Sequence, residues 1–313
     1  MKIVFMGTPD FAVPVLERLI DDGHDVGIVV TQPDRAGNRG KVIYSPVKQC
    51  AVDHDIDVLQ PDHISKDEES LSAIKAFAPD AMIVVAYGQI LKKNVLDIPK
   101  LGIYNVHASL LPKLRGASPI QHAILEGDER AGVTIMKVDE GLDTGDMLIS
   151  DSVEIGRMNF EELHDALAEI GASLMSKALK LIESGDAVFT KQNDEESTYA
   201  GMITKQDGRI DFNEPAEVID RKIRAFDPWP GAFCELDGKT MKIWKAEPAG
   251  TFVPGTKGDI TPGTIVDTEP SGIKVKCGSG VLVVKELQLP GKKRTSVKDF
   301  LLGHNIEKGT ILQ

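Results

Sequence analysis

The chain has 313 residues, of which 42% are hydrophobic and 27% charged. At roughly 150 residues per domain that is room for two domains, and it is too long for a mini-protein held by staples. Near-average composition excludes global disorder. The longest apolar runs, such as Ala81–Ala86, fall far short of the ~20 residues that cross a bilayer. The net charge of −12 is uneven: residues 204–313 hold 17 Lys+Arg and 15 Asp+Glu, against 19 and 33 in residues 1–203. Overall acidity argues against coating nucleic acid without preference, but it leaves room for a basic face on the second half. Met-Lys and a short apolar run broken at Gly7-Thr8-Pro9-Asp10 form no signal peptide. A soluble, cytoplasmic protein is expected. The 3 cysteines, Cys50, Cys234 and Cys277, are scattered, which argues against a disulfide framework or a structural zinc site.

In chain order the first half alternates strand and helix. Lys2–Met6 predicts a strand ending in Gly7-Thr8-Pro9. Asp10 is placed to cap a helix with Phe11, Val15, Leu16, Leu19 and Ile20 on one face, stopped at Gly23. Val26–Thr31 is the next strand. Ser45-Pro46 predicts an N-cap followed by proline at the first helical position. Ser65 with Glu68 predicts a capping box. Ala81–Ala86 has the continuous apolar character of a strand buried on both faces of a parallel sheet. Gly102–His107 is a further strand and Ser118–Glu126 a short helix. Gly132–Val138 and Met147–Ile155 are strands flanking a loop rich in Gly and Asp. Asn159 with Glu162 caps a long helix ending at Gly185. This alternation predicts a doubly wound, Rossmann-like α/β domain over residues 1–188. Residues 189–206 are polar and predict a linker. Over 207–313 a helix at Pro215–Phe226 precedes short strands with Gly turns, which predict a small, OB-like β-barrel.

The first glycine turn is not a dinucleotide site. Gly7-Thr8-Pro9-Asp10 has one glycine where the fingerprint needs three, and Pro9 removes an amide. The chemistry lies elsewhere. Asn105 and His107 are two apart near a strand end, so they share a face of the sheet. Open α/β sheets bind ligands at such ends. The loop Asp139-Glu140-Gly141-Leu142-Asp143-Thr144-Gly145 could bring Asp143 to the imidazole. An amide N–H can hold an oxyanion, an imidazole can move protons, and a carboxylate can orient the ring or relay a proton through water. That trio suits direct acyl transfer to an amine, and no Ser or Cys is placed as a covalent nucleophile. Each member also has a plainer use: a structural histidine, a capping Asn, an Asp in a turn or at a cation. No metal site is expected, because no histidine pair stands at ligand spacing.

The run Asn105-Val106-His107-Ala108-Ser109-Leu110-Leu111-Pro112, with Gly141-Leu142-Asp143-Thr144-Gly145, resembles the signature of formyltransferases that use 10-formyltetrahydrofolate. The resemblance implies that Asn105, His107 and Asp143 are catalytic. It further implies folate contacts at Ala86, Tyr87, Gly88, Gln89, Ile90, Ser109, Leu110, Leu111, Pro112 and Asp139. It extends over essentially the whole chain, through Gly7–Ala12, Gln32–Lys48 and Pro228-Trp229-Pro230-Gly231-Ala232. The Gln32–Lys48 loop and the barrel domain point to members whose acceptor is the α-amine of methionine on initiator tRNA. Gln32–Lys48 carries Arg35, Arg39, Lys41 and Lys48 against a single acid, Asp34, and has no apolar period, as a basic loop would. Lys292, Lys293 and Arg294 cluster on the second domain as expected backbone contacts. The expected partners are methionyl-initiator tRNA and the folate donor, with no metal, no membrane and a monomeric enzyme. Three other readings are a formyltransferase for a small amine (glycinamide ribonucleotide or an amino sugar nucleotide), an enzyme that only hydrolyses the folate, and a non-catalytic RNA-binding relative. A glycinamide enzyme would lack the barrel and the basic loop. The hydrolase would be expected to carry a regulatory domain ahead of the catalytic one. Intact Asn105, His107 and Asp143 count against the last.

Overall fold

The structure, a computed structural model, describes residues 1–36, 42–250 and 260–313. The chain divides into two compact units. One comprises Met1–Pro119, Arg130–Glu154 and His164–Gly201; the other comprises Ile120–Glu129, Ile155–Leu163 and Met202–Gln313.

The strands are β1 (Lys2–Gly7), β2 (Asp25–Val30), β3 (Arg35–Ala36), β4 (Val42–Ile43), β5 (Asp57–Leu59), β6 (Ala81–Val85), β7 (Ile103–His107), β8 (Arg115–Gly116), β9 (Arg130–Lys137), β10 (Met147–Glu154), β11 (Tyr199–Ala200), β12 (Ala232–Leu236), β13 (Lys239–Ala249), β14 (Ile265–Glu269), β15 (Gly272–Lys276), β16 (Val281–Gln288) and β17 (Thr295–Ser296). The helices are α1 (Val13–Asp21), α2 (Pro46–Asp53), α3 (Glu68–Phe77), α4 (Lys93–Leu96), α5 (Pro119–Glu126), α6 (Phe160–Ser184), α7 (Ala216–Ala225) and α8 (Val297–Leu301).

The first unit is built on a seven-stranded sheet in the order β10-β9-β7-β6-β1-β2-β5. Its core strands are parallel, and β9 and β10 are antiparallel at one side. Strand order reverses between β1 and β6, as in a doubly wound sheet. The near-continuous apolar strands follow from burial on both faces. On one face Val4, Met6, Ile28, Val30, Met82 and Ile103 pack with Ile64, Leu71 and Ile74. On the other, α6 comes so close at Gly171 that a Cβ there would lie 2.8 Å from Val106 Cγ1.

Local signals set most boundaries. Ser45 caps α2 by accepting from the Lys48 N–H, with Pro46 at the first helical position. Asn159 and Glu162 exchange side-chain to backbone bonds of 2.9 Å ahead of α6, the reciprocal capping box. Two expected starts differ. Asp10 opens a single 3-10 turn and α1 begins at Val13. The cap of α3 is Asp67, which accepts from the Ser70 N–H, rather than Ser65. Ser65 lies in a 3-10 turn and its hydroxyl accepts from the Lys92 N–H. Asp competes well for an N-cap, and Asp67 stands directly before Glu68, the first helical residue.

The second unit carries the sheet β12-β13-β16-β15-β14, with β17 on β16. All these pairs are antiparallel. The chain end closes this sheet. Leu312 N–H donates to Gly263, Ile265 N–H donates to Thr310, and Gln313 and Glu235 exchange backbone bonds. The last residues thereby bridge the start of β14 to Glu235 of β12. Leu312 joins a core that includes Ile219, Ile223, Ile243, Val275, Val284 and Phe300.

All three cysteines are buried. Burial pushes the Cys50 and Cys277 thiols up to about 11 and that of Cys234 up to about 12. At about pH 8 the native protein should therefore leave Ellman's reagent unreacted over minutes, and the denatured chain should release its full complement of thiols. The same values fix a sign. The folded state keeps protons that the unfolded thiols release above about 8.5, so stability should fall as pH rises from there toward the folded values. Urea midpoints measured across that range check it.

Candidate active site

The C-terminal ends of β1, β6 and β7 lie side by side in the sheet, next to the reversal of strand order. Ile103, Asn105 and His107 alternate onto one face of β7. His107 is only 5% exposed, and its ring is held from both sides. Nε2 lies 3.0 Å from the Leu114 carbonyl. A carbonyl only accepts, so Nε2 carries the proton and the neutral ring leaves Nδ1 as its base. Nδ1 faces Asp143 Oδ2 at 3.7 Å. Asn105 Nδ2 donates to Asp143 Oδ1 at 3.5 Å, and the Gly116 N–H donates to Asp143 Oδ2 at 2.9 Å. The structure thus brings together the amide, the ring and the carboxylate. Protonation at Nδ1 would create an imidazolium directly opposite the Asp143 charge.

Backbone devices keep the loops in register. Asp143 sits at φ +55° and Leu114 at φ +58°, in the left-handed region. Ser109 Oγ donates to the Lys113 carbonyl at 2.6 Å, and Thr134 Oγ1 donates to the Ser109 carbonyl at 2.7 Å while accepting from the Leu111 N–H. Ser109 is thereby committed inside its own loop, and Leu111 is buried while Leu110 and Pro112 are half-buried. Asp139 closes the acidic loop, accepting from the Gly141 N–H and the Thr144 hydroxyl.

The turn after β6 divides its residues between core and surface. Ala86 and Gly88, both at positive φ, are exposed, and Ile90 is 71% exposed. The Tyr87 ring is buried in the core with no hydroxyl partner among the described residues, and its carbonyl accepts from Gln32. The Gln89 side chain turns onto the backbone of Pro61, Asp62 and Ile64. Leu142, in the acidic loop, is 51% exposed. Ile90 and Leu142 are thus large apolar side chains that these two loops leave open to solvent. Among the described residues no cluster of three or more His, Cys, Asp or Glu could hold a metal ion.

The basic residues fall into separate situations. Arg35 is the first residue of β3, and Arg39 and Lys41 lie outside the described residues. Lys48 Nζ is bound to Asp34 and to Gln60 Oε1, over the Tyr44 ring. That partner also holds the Asp34 carboxyl below its usual range. In the second unit Lys292 and Lys293 are exposed. Arg294 bonds Glu286 at 2.7 Å and Asp227 at 3.0 Å, and it stacks on the Trp244 ring.

The site residues with no signature in the sequence are mostly backbone donors and acceptors: the Leu114 carbonyl and the Gly116 N–H. Gln192 is another; it donates to the Asp143 and Gly145 carbonyls from within the polar stretch after α6.

Comparison with known proteins fits this arrangement. Residues 1–179 match the formyl transferase family model, and residues 202–305 match the model of the formyl transferase C-terminal domain. The chain belongs to the formyl transferase family. It is 46% identical to the methionyl-tRNA formyltransferase of Caldanaerobacter subterraneus subsp. tengcongensis over 315 residues, covering 100% of both chains. It is likewise 46% identical to the methionyl-tRNA formyltransferase of Clostridioides difficile over 314 residues, again covering 100% of both. In fold it is similar to HypX of Aquifex aeolicus in complex with tetrahydrofolic acid, with a TM-score of 0.62 and 17% identity over 99% of this chain and 50% of that one. Among the described residues no helix is long and apolar enough to cross a membrane.

Asp143→Asn keeps the shape and tolerates the left-handed backbone, but removes the charge facing Nδ1. Turnover of formyl transfer should fall by roughly 10²–10⁴-fold, with the folded state intact by circular dichroism. Single-turnover kinetics with saturating substrates checks it.

Proposed function

We propose that the chain formylates the α-amine of methionine carried on initiator tRNA, with 10-formyltetrahydrofolate as donor. The observation that carries the reading is the His107 ring, with Nε2 tied to the Leu114 carbonyl and Nδ1 free opposite Asp143 and beside Asn105. Full-length relatives with the methionyl-tRNA activity support the choice of acceptor.

The folate supplies a formyl carbon on N10 and departs as tetrahydrofolate. The chain's own groups do the rest. As the neutral amine bonds to the formyl carbon, Asn105 Nδ2–H donates to the oxygen on which negative charge develops. His107 Nδ1 takes a proton from the attacking nitrogen. The imidazolium so formed is balanced by Asp143. It returns the proton to the leaving nitrogen as that C–N bond breaks, so the ring ends neutral. Ala86, Gly88, Ile90 and Leu142 would contact the folate through exposed atoms. Tyr87, Gln89, Ser109 and Asp139 would act by shaping the loops, given where their side chains point.

We assign catalysis to residues 1–188 and tRNA contact to residues 207–313; of the stretch 189–206 expected as a linker, residues 189–201 belong to the first unit, where β11 pairs with β8. Lys292 and Lys293 offer exposed charge to phosphates. Arg35, Arg39 and Lys41 belong to the same reading; Lys48 and Arg294 would brace their surroundings as well as contribute charge. The work is placed in the cytoplasm, where translation starts. A monomer suffices, because one chain supplies both the trio and the cations.

A formyl-transfer assay decides the reading. Methionyl-initiator tRNA should be formylated far faster than methionyl-elongator tRNA, glycinamide ribonucleotide or an amino sugar nucleotide, and His107→Ala should abolish turnover. A preference for a small amine would overturn the acceptor, and undiminished turnover in the variant would overturn the mechanism. Separately, the double variant Lys292→Ala, Lys293→Ala should weaken tRNA binding and flatten the slope of log affinity against log salt by about 2, at unchanged folate affinity. Filter binding over a salt series measures it.

A further inference from the structure

Gln192 lies between α6 and β11 and is 5% exposed. Its amide nitrogen donates to the Asp143 carbonyl at 2.8 Å and the Gly145 carbonyl at 2.7 Å. Its amide oxygen accepts from Arg115 Nε at 3.0 Å. A guanidinium only donates, so Arg115 fixes which end of the amide faces the acidic loop. Arg115 is itself steadied by Asp194 at 2.8 Å.

The surrounding chain is stitched on both sides. Thr190 and Met147 exchange backbone bonds of 2.8 and 2.9 Å. Thr198 Oγ1 accepts from the Leu114 N–H at 2.9 Å, and β11 pairs with β8. These bonds touch both halves of the site. Leu114 supplies the carbonyl that holds His107, and Gly116, in β8, supplies the N–H that holds the Asp143 carboxylate. The Asp143 backbone stands in the left-handed region, which a non-glycine residue keeps where its surroundings fix it. Two residues on, a Cβ at Gly145 would lie 1.7 Å from the Lys137 carbonyl oxygen, so the loop has no slack there. Buried carbonyls need donors, and Gln192 supplies one to each side of this tight turn.

We propose that Gln192 is a positioning residue for formyl transfer: its amide clamps the Asp143–Gly145 turn so that the Asp143 carboxylate faces His107 Nδ1 and Asn105. The proposal rests on the formyl-transfer reading above.

The test places Gln192→Ala and Gln192→Glu in the wild-type chain and in Asp143→Asn. Gln192→Glu keeps the volume and the bond from Arg115, but it turns an acceptor toward two carbonyls. In the wild-type background both should lose turnover by at least about 10-fold, since small misplacements of a catalytic group cost that much or more. KM for folate and for tRNA should stay within about twofold, because the clamp touches neither substrate directly. In Asp143→Asn the further loss should vanish, because a group that acts only through Asp143 has nothing left to position. Full turnover in either Gln192 variant overturns the proposal. So does an equal loss in both backgrounds, which a general structural role would give. Should Gln192→Ala fail to fold, Gln192→Glu decides alone. A wild-type chain inactive in formyl transfer would instead overturn the reading on which the proposal rests.

Discussion

The bond between His107 Nε2 and the Leu114 carbonyl settles which nitrogen of the ring can accept a proton. With Nε2 occupied, only Nδ1 is free, and it is the nitrogen that looks at Asp143. The bond works only if Leu114 holds its left-handed conformation and the chain from Ser109 to Gly116 keeps its shape. Ser109, Thr134 and Thr198 each spend a hydroxyl on that stretch. The imidazole is therefore oriented by a backbone carbonyl and opposed by a carboxylate. Its proton can leave and return on one side only.

The sheet explains why these loops meet. Parallel strands bring all their C-terminal ends to one edge, and the reversal of order between β1 and β6 opens a crevice there. β7 lies next to β6, so Asn105 and His107 emerge beside that crevice. The antiparallel pair β9 and β10 returns the chain with Lys137 opposite Tyr104, and the acidic loop between them folds back to bring Asp143 to Asn105 and His107.

Much of this was legible in the sequence because periodicity and capping chemistry are local. Apolar runs marked the buried strands, and Asn159 with Glu162 announced the long helix to the residue. The two-residue spacing of Asn105 and His107 put them on one face. The α3 start was misread because Ser65 and Asp67 both have capping chemistry, and only tertiary contact with Lys92 decides between them. Short strands such as β5, β8 and β11 escaped notice, since two or three residues carry no period. Backbone partners were invisible for a deeper reason: the Leu114 carbonyl and the Gly116 N–H have no side-chain signature. Gln192 was hidden differently. It stands in a polar stretch, and nothing local separates a buried clamp from a solvated glutamine.

Charge needs the same distinction between residue type and situation. Counted along the sequence, Lys48 and Arg294 belong to basic clusters. In the fold, Lys48 neutralises Asp34 at the foot of its segment, and Arg294 is divided between Glu286 and Asp227 while it covers Trp244. Trp244 in turn donates to Gln288, which bonds the Lys292 carbonyl. Arg294 is thus a structural support of the turn that bears the exposed Lys292 and Lys293. Attraction to a phosphate is strongest for a cation with no nearer counter-charge. Among the described residues no ion pair holds Lys292 or Lys293, whereas Arg294 beside them is paired with Glu286 and Asp227.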